Sequence, residues 1–326
     1  MTQIGILCKT SFSQGMGHLV RQTHVANALR NRGAEIVFYI PDYAPAQNWL
    51  DQHGFSRQTQ PDPFLLTDRI IESHDLFVLD IQDTPENFIK QFHLHKKSVV
   101  SFEDLGEGRN HVDLLIDCNL DENKLVSVPT LFSYPHCVLA PDFATYHLKS
   151  RIFKQPLRSA LLTFGGTDPH ALTSTLAEKL LQVDPGLCLT LLTGPGCKNI
   201  DALKTLQMQN EKVTLLESST QMAQTLFEHD VVFCAGGVTL HEAMAVGTPA
   251  FVINQVTHQA DKAHHAEQQG AALNLGLAES WDETRLPQIL KTGPEVLQKM
   301  SQAGKRLIDG KGLERVADAI KALLDR

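Results

Sequence analysis

Positive charge is scarce in this sequence. Its 326 residues carry 29 Lys and Arg against 37 Asp and Glu, a formal net charge of −8. A protein that grips a polyphosphate backbone or an anionic membrane needs a basic footprint, so those partners are disfavoured. A small phosphate-bearing ligand needs only a few donors and is not excluded. Cysteine is sparse and scattered, at positions 8, 118, 137, 188, 197 and 234, with no C-x-x-C spacing. That pattern offers neither a zinc knuckle nor a dithiol redox motif. No apolar run approaches the roughly 20 residues of a membrane helix. The first residues run straight into a strand-like segment without the basic and apolar regions of a signal peptide, so a reduced, cytoplasmic protein is expected. Neither G-x-S-x-G nor a Walker-type Gly-Lys-Ser/Thr turn occurs, which argues against a serine hydrolase and an ATPase.

What remains is an ordinary folded composition, 42% hydrophobic and 20% charged, on a chain long enough for about two domains. Short Val-, Ile-, Leu- and Phe-rich runs alternate with longer amphipathic stretches. Strands are expected at 4–8, 35–40, 76–79, 98–102 and 114–116, then at 160–164, 187–192, 213–216, 231–234 and 250–253. Helices are expected at 19–32, 85–95, 171–182, 222–228, 240–245 and 259–269. Near-continuous apolar strands alternating with helices describe α/β architecture, a parallel sheet covered on both faces. Residues 118–158 lack clear periodicity and hold Pro129, Pro135, Pro141 and Pro156 before a fresh strand. The expected domains are therefore 1–152 and 153–326, with the last helix a candidate to cross back to the first.

Three glycine turns carry chemistry. After the first strand, Gly15-Met16-Gly17-His18 opens a helix whose free amides suit an anion. A dinucleotide fingerprint fails, because Val20 stands where its third glycine would be. His18, at the carboxyl end of strand one, is the candidate general base; the bland alternative is a histidine that only hydrogen-bonds its loop. Arg21, one turn on, is either a phosphate donor or a surface charge. The second turn is Phe164-Gly165-Gly166-Thr167-Asp168-Pro169. Asp168 is expected to cap the following helix and Pro169 to sit in its first turn, a reading that asks for no ligand. The third runs from Gly236 and Gly237 through Val238 and Thr239 to Glu242, then on to Gly247-Thr248-Pro249. A helix starting at Thr239 would aim its first amides at a phosphate. Glu242, one turn in, would repel that phosphate but can accept two hydroxyl hydrogen bonds from a ribose beside it. The alternative is a solvated helix charge.

These residues, with Phe102-Glu103-Asp104-Leu105-Gly106 and Ala140-Pro141-Asp142-Phe143, resemble the PseG/SpsG group of nucleotide-sugar enzymes within the GT-B superfamily. The resemblance spans nearly the whole chain and implies two Rossmann-like, doubly wound domains with a cleft between them. It implies a nucleoside diphosphate sugar, usually UDP-linked, as partner. Glu242 would meet the ribose, Gly236, Gly237, Val238 and Thr239 the diphosphate, and backbone near Ser218 to Met222 the base. Gly17, Arg21, Gly165, Gly166 and Thr167 join the expected substrate-binding set, and His18 would be the base. Two positions depart from the hydrolases of the group. Gln82 stands where they carry a tyrosine, and His258-Gln259 where they carry Asn-Gln; both would face the sugar. The expected activity is hydrolysis of the anomeric C–O bond of a UDP-type amino or deoxy sugar in surface-polysaccharide or nonulosonic acid biosynthesis. The alternatives are a GT-B glycosyltransferase, which would touch a membrane peripherally, and a non-catalytic nucleotide-sugar-binding protein. No D-x-D occurs, so a metal-independent reaction with no cofactor is expected. Asp80, Asp83, Glu103 and Asp104 are left as helper bases or structural acids.

Overall fold

A computed structural model describes residues 2–11, 15–119, 126–194 and 196–325, excluding the side chain of His258. The chain forms two packing units, one running to Pro141 and taking back the chain from Gly310, the other Asp142–Asp309.

The first unit follows the order β1 (Thr2–Cys8), α1 (Gly17–Arg30), β2 (Ala34–Ile40), α2 (Ala44–Gln52) and β3 (Ser56–Thr59). It continues with α3 (Asp68–Glu72), β4 (Leu76–Asp80), α4 (Glu86–Leu94), β5 (Ser98–Phe102), β6 (Leu114–Asp117) and β7 (Thr130–Phe132). All seven strands are parallel, in the order β3-β2-β1-β4-β5-β6-β7. The chain leaves β1 towards one edge and returns at β4 to fill the other, so the sheet reverses between β1 and β4. Ligands of open α/β sheets gather at the carboxyl ends of the strands beside such a reversal. The two faces bury separate cores. On one face Ile4, Ile6, Phe38 and Val78 pack with Leu19 and Val25 of α1; on the other Leu7, Phe77 and Leu79 pack with Phe88 and Phe92 of α4. The C-terminal helix (Gly312–Leu324) belongs to this unit, burying Leu313, Val316, Ala317 and Ile320 in the first of these cores.

The second unit begins with α5 (Asp142–His147), β8 (Ser159–Thr163), α6 (Leu172–Val183), β9 (Cys188–Leu192), α7 (Ile200–Gln209) and β10 (Val213–Leu216). It continues with α8 (Met222–Glu228), β11 (Val231–Cys234), α9 (Val238–Val246), β12 (Ala250–Asn254), α10 (Thr257–Gln268) and β13 (Ala272–Leu277). Two more helices, α11 (Leu286–Leu290) and α12 (Pro294–Leu307), close it. Its six parallel strands run β10-β9-β8-β11-β12-β13, the same winding with the reversal between β8 and β11.

The packing places the division ahead of the 152/153 boundary. Tyr146 of α5 lies 5.5 Å from the Phe227 ring of α8, and Arg151 donates to the Phe227 carbonyl at 2.6 Å. These contacts tie residues 142–152 to the second unit although they precede its first strand. Residues 310–325 likewise leave the second unit, because the apolar stripe of their helix is buried in the first.

Candidate functional site

At the reversal of the first sheet, β1 ends beside Asp80, the last residue of β4. Helix α1 begins just after, and helical spacing puts His18, Arg21 and Gln22 on one face, three and four residues apart. All three converge on the Asp80 carboxylate, which is fully buried. His18 Nδ1 lies 2.7 Å from Asp80 Oδ1. Arg21 donates from Nη2 to Oδ1 at 2.8 Å and from Nε to Oδ2 at 3.1 Å, and Gln22 Nε2 donates to Oδ2 at 2.9 Å. Arg21 Nη1 reaches Glu103 Oε1 at 2.7 Å, just beyond β5. Burial by itself would raise the Asp80 carboxyl, but the charges of Arg21 and His18 and the bonds they donate outweigh it and hold it below the usual carboxylate range. Asp80 is thus an anion with its oxygens claimed, and it takes the proton side of the imidazole. That fixes the tautomer with hydrogen on Nδ1 and leaves the Nε2 lone pair to accept a proton. His18 keeps 25% of its side chain exposed, so it is reachable while its partner is not.

The second reversal lies between β8 and β11, and each strand ends in a glycine pair. After β8, Gly165 has φ +84°, a left-handed conformation that favours glycine. Gly166 packs tightly from behind: a Cβ on Gly194 would stand 2.5 Å from its Cα, yet a Cβ on Gly166 itself would meet nothing within 4 Å. The turn is held on one side and open on the other. After β11, a Cβ on Gly236 would fall 2.4 Å from the Gln259 carbonyl oxygen and 2.5 Å from Asn254 Oδ1. Glycine there lets α10 approach the turn. Gly237 is the residue before α9, which starts at Val238, one residue ahead of expectation, with no side chain capping its amides. The first amides of a helix have no partner within it, and here they begin at a glycine turn.

Around this turn the polar groups interlock. Gln259 Oε1 accepts the Gln255 amide at 2.9 Å, and Gln255 Nε2 donates to the Phe164 carbonyl, linking the two glycine turns. Asn254 is fully buried and donates to Asn274 Oδ1 at 2.9 Å and the Gly276 carbonyl at 3.1 Å. Its Oδ1 has no partner among the described residues. Glu242, one turn into α9, is half-buried. Burial and the nearby Asp142 raise its carboxyl to about 7, against the pull of a hydrogen bond from Thr239.

The sequence-derived residues therefore fall into two clusters, one per unit. Gly17, His18 and Arg21 lie at the first reversal; Gly165, Gly166, Thr167, Gly236, Gly237, Val238, Thr239, Glu242 and Gln259 lie at the second. Met222 starts α8. Gln82 follows β4 with a φ of 78°, its carbonyl accepting the Leu105 amide at 2.6 Å. The side chain of His258 lies outside the described residues. Three expectations change. Arg21 is not an open surface charge, since its guanidinium is taken up by Asp80 and Glu103. Pro169 lies ahead of α6 rather than in its first turn, because Asp168 caps the amides of Leu172 and Thr173, both at 2.9 Å. Asp104 is structural, accepting from Ser101 and from the Thr84 and Gly106 amides. The sequence reading missed Asp80 as the hub of the first cluster. Its signal was an acid ending an otherwise apolar strand.

Residues 160–322, half of the chain, match the model of the glycosyltransferase family 28 C-terminal domain. Over 99% of this chain and 99% of its own length, the spore coat polysaccharide biosynthesis protein SpsG of Bacillus subtilis is 27% identical. Among solved structures, MurG of Acinetobacter baumannii superposes with a TM-score of 0.73 at 15% identity, covering 99% of this chain and 100% of that one. The complex of MnaA from S. aureus with UDP gives 0.67 at 14% identity over 100% and 97%. The two parallel-sheet α/β units are accordingly of the GT-B type. The chain belongs to the glycosyltransferase family 28 C-terminal domain family, within the SpsG/PseG-like group of GT-B proteins.

Proposed function

We propose that this protein breaks the anomeric C–O bond of a nucleoside diphosphate sugar, with His18 as general base and water as the attacking group. The observation that carries the reading is the His18–Asp80 pair at 2.7 Å: a reachable imidazole whose tautomer is set by a buried carboxylate. As the attacking hydroxyl bonds to the anomeric carbon, its proton passes to His18 Nε2. The imidazolium formed is stabilised by Asp80, and general-base help of this kind contributes about 10²–10⁴-fold. The departing nucleoside diphosphate takes the electrons of the broken bond. The amides opening α9 and the turn around Gly166 would meet the developing charge on its phosphates without a metal. Glu242 would accept the ribose hydroxyls, and backbone near Met222 would line the base. A UDP-linked donor is supported by the UDP complex of the related fold. Arg21, Gln22 and Glu103 are positioning residues that hold Asp80 and the carboxyl end of β5.

The second reading passes the sugar to a glycan or other hydroxyl acceptor, and the match to a glycosyltransferase family favours it. Gln82, where hydrolases of the group carry a tyrosine, agrees. Both readings use the same base and the same leaving group. Incubation with UDP-, GDP- and CMP-sugars, with nucleotide release measured before and after adding acceptor, separates them. Release without acceptor that is lost in His18→Ala supports hydrolysis. Release only on adding acceptor supports transfer, and tight nucleotide binding without turnover under either condition would sink both.

A further inference from the structure

We propose that residues 148–158, beside α5, form a contact for an anionic lipid surface. From residue 143 to 167 the sequence has no Asp or Glu, in a chain whose acids outnumber its bases. Within that stretch stand Lys149, Arg151, Lys154 and Arg158, so the whole-chain charge that disfavoured such a partner averages away a local basic surplus. The stretch also presents Leu148 at 80% and Ile152 at 83% exposure. A single exposed aliphatic needs no explanation, but two within five residues of an acid-free basic segment do.

The cations here are unusually short of anions. Lys149 Nζ sits 3.5 Å above the Tyr146 ring. Arg151 donates to the carbonyls of Phe227 and His229 between the rings of Phe153 and Phe227. Lys305, from α12, donates to the Lys149 carbonyl at 2.9 Å. Burial and the neighbouring Arg151 push its ammonium down. Asp230, whose charge reaches Arg151, already accepts the amides of Arg158 and Ser159. Among the described residues Lys149, Lys154, Arg158 and Lys305 pair with no carboxylate. A bilayer carrying anionic headgroups supplies what the protein does not, phosphates for the cations and an apolar phase for Leu148 and Ile152.

The test is co-sedimentation of the full chain with phosphatidylcholine vesicles, with and without about 30 mol% phosphatidylglycerol. The protein should pellet about tenfold more with the anionic vesicles, and this should fade at about 0.5 M salt, where screening is complete within about 4 Å. Lys149→Glu with Lys154→Glu should cut pelleting about tenfold, and Leu148→Ser with Ile152→Ser several-fold. These four side chains are exposed, so circular dichroism and soluble nucleotide binding should not change. Equal pelleting with neutral vesicles, no pelleting, or pelleting indifferent to both double variants overturns the proposal. So does a concentration-dependent dimer that Leu148→Ser with Ile152→Ser abolishes, which would make a second copy the occupant.

Discussion

His18 Nδ1 lies 2.7 Å from Asp80 Oδ1, and the carboxylate is fully buried while the imidazole is not. Asp80 therefore cannot meet substrate and acts through His18. Asp80→Asn presents an amide of the same shape that no longer demands hydrogen on Nδ1. Turnover should fall about 10²–10⁴-fold with KM little changed. Because Arg21 then keeps Glu103 as its only carboxylate, Asp80→Ala should also cost about 3–5 kcal/mol of stability. A turnover unchanged in Asp80→Asn would remove His18 from the role of base.

Glu242 titrates near 7, so its charge changes within the working range. Its pKa is raised above that of the unfolded chain, so the folded state holds the proton more tightly. Stability without ligand should therefore decline as pH rises from about 4.5 to about 7 and level off above, by up to about 3 kcal/mol. Binding has the opposite sign. A ribose diol donates to the carboxylate, so affinity for a nucleotide sugar should weaken as pH falls below about 7. Calorimetry across this range should show the trend in the wild type and a flat profile in Glu242→Gln. A wild-type affinity indifferent to pH would take the ribose away from Glu242.

Much of this arrangement is readable from residues alone, for physical reasons that also mark its limits. Central strands such as β1, β4, β8 and β11 are covered on both faces and read as apolar runs. The strands that escaped notice, β3, β7 and β13, all lie at sheet edges. There one side faces no partner strand, and Ser56-Arg57-Gln58-Thr59 or Ala272-Leu273-Asn274-Leu275-Gly276-Leu277 carries too little continuous apolar character to show. The glycine turns announced themselves because backbone geometry demands the residue. The links from His18 and Arg21 to Asp80 did not, since they span 62 and 59 positions and only the strand order brings them together.

The two glycine turns should respond differently to a methyl group. Gly236→Ala drives its Cβ against the backbone of Gln259 and the amide of Asn254, so α10 must shift. The variant should lose about 1–3 kcal/mol of stability and most nucleotide binding. Gly166→Ala meets open space, so its melting temperature should hold while affinity for the diphosphate falls. If the phosphates lie elsewhere, Gly166→Ala will bind like wild type in the same titration.

The C-terminal helix should prove integral to the first unit. Leu313, Val316 and Ile320 are buried among residues of β1 and α1, and Arg32 at the end of α1 clasps Glu314 at 2.6 Å and Asp318 at 2.7 Å. The ion pairs are surface-exposed and contribute at most about 1 kcal/mol, so the apolar face decides the matter. Ile320→Ala should cost about 2–5 kcal/mol through lost burial and the cavity left behind, whereas Arg32→Ala should cost far less. Amide hydrogen exchange locates the damage. Protection should fall in β1, β2 and α1 while β8, β11 and β12 keep theirs, and loss confined to the second sheet would assign the helix to the other unit.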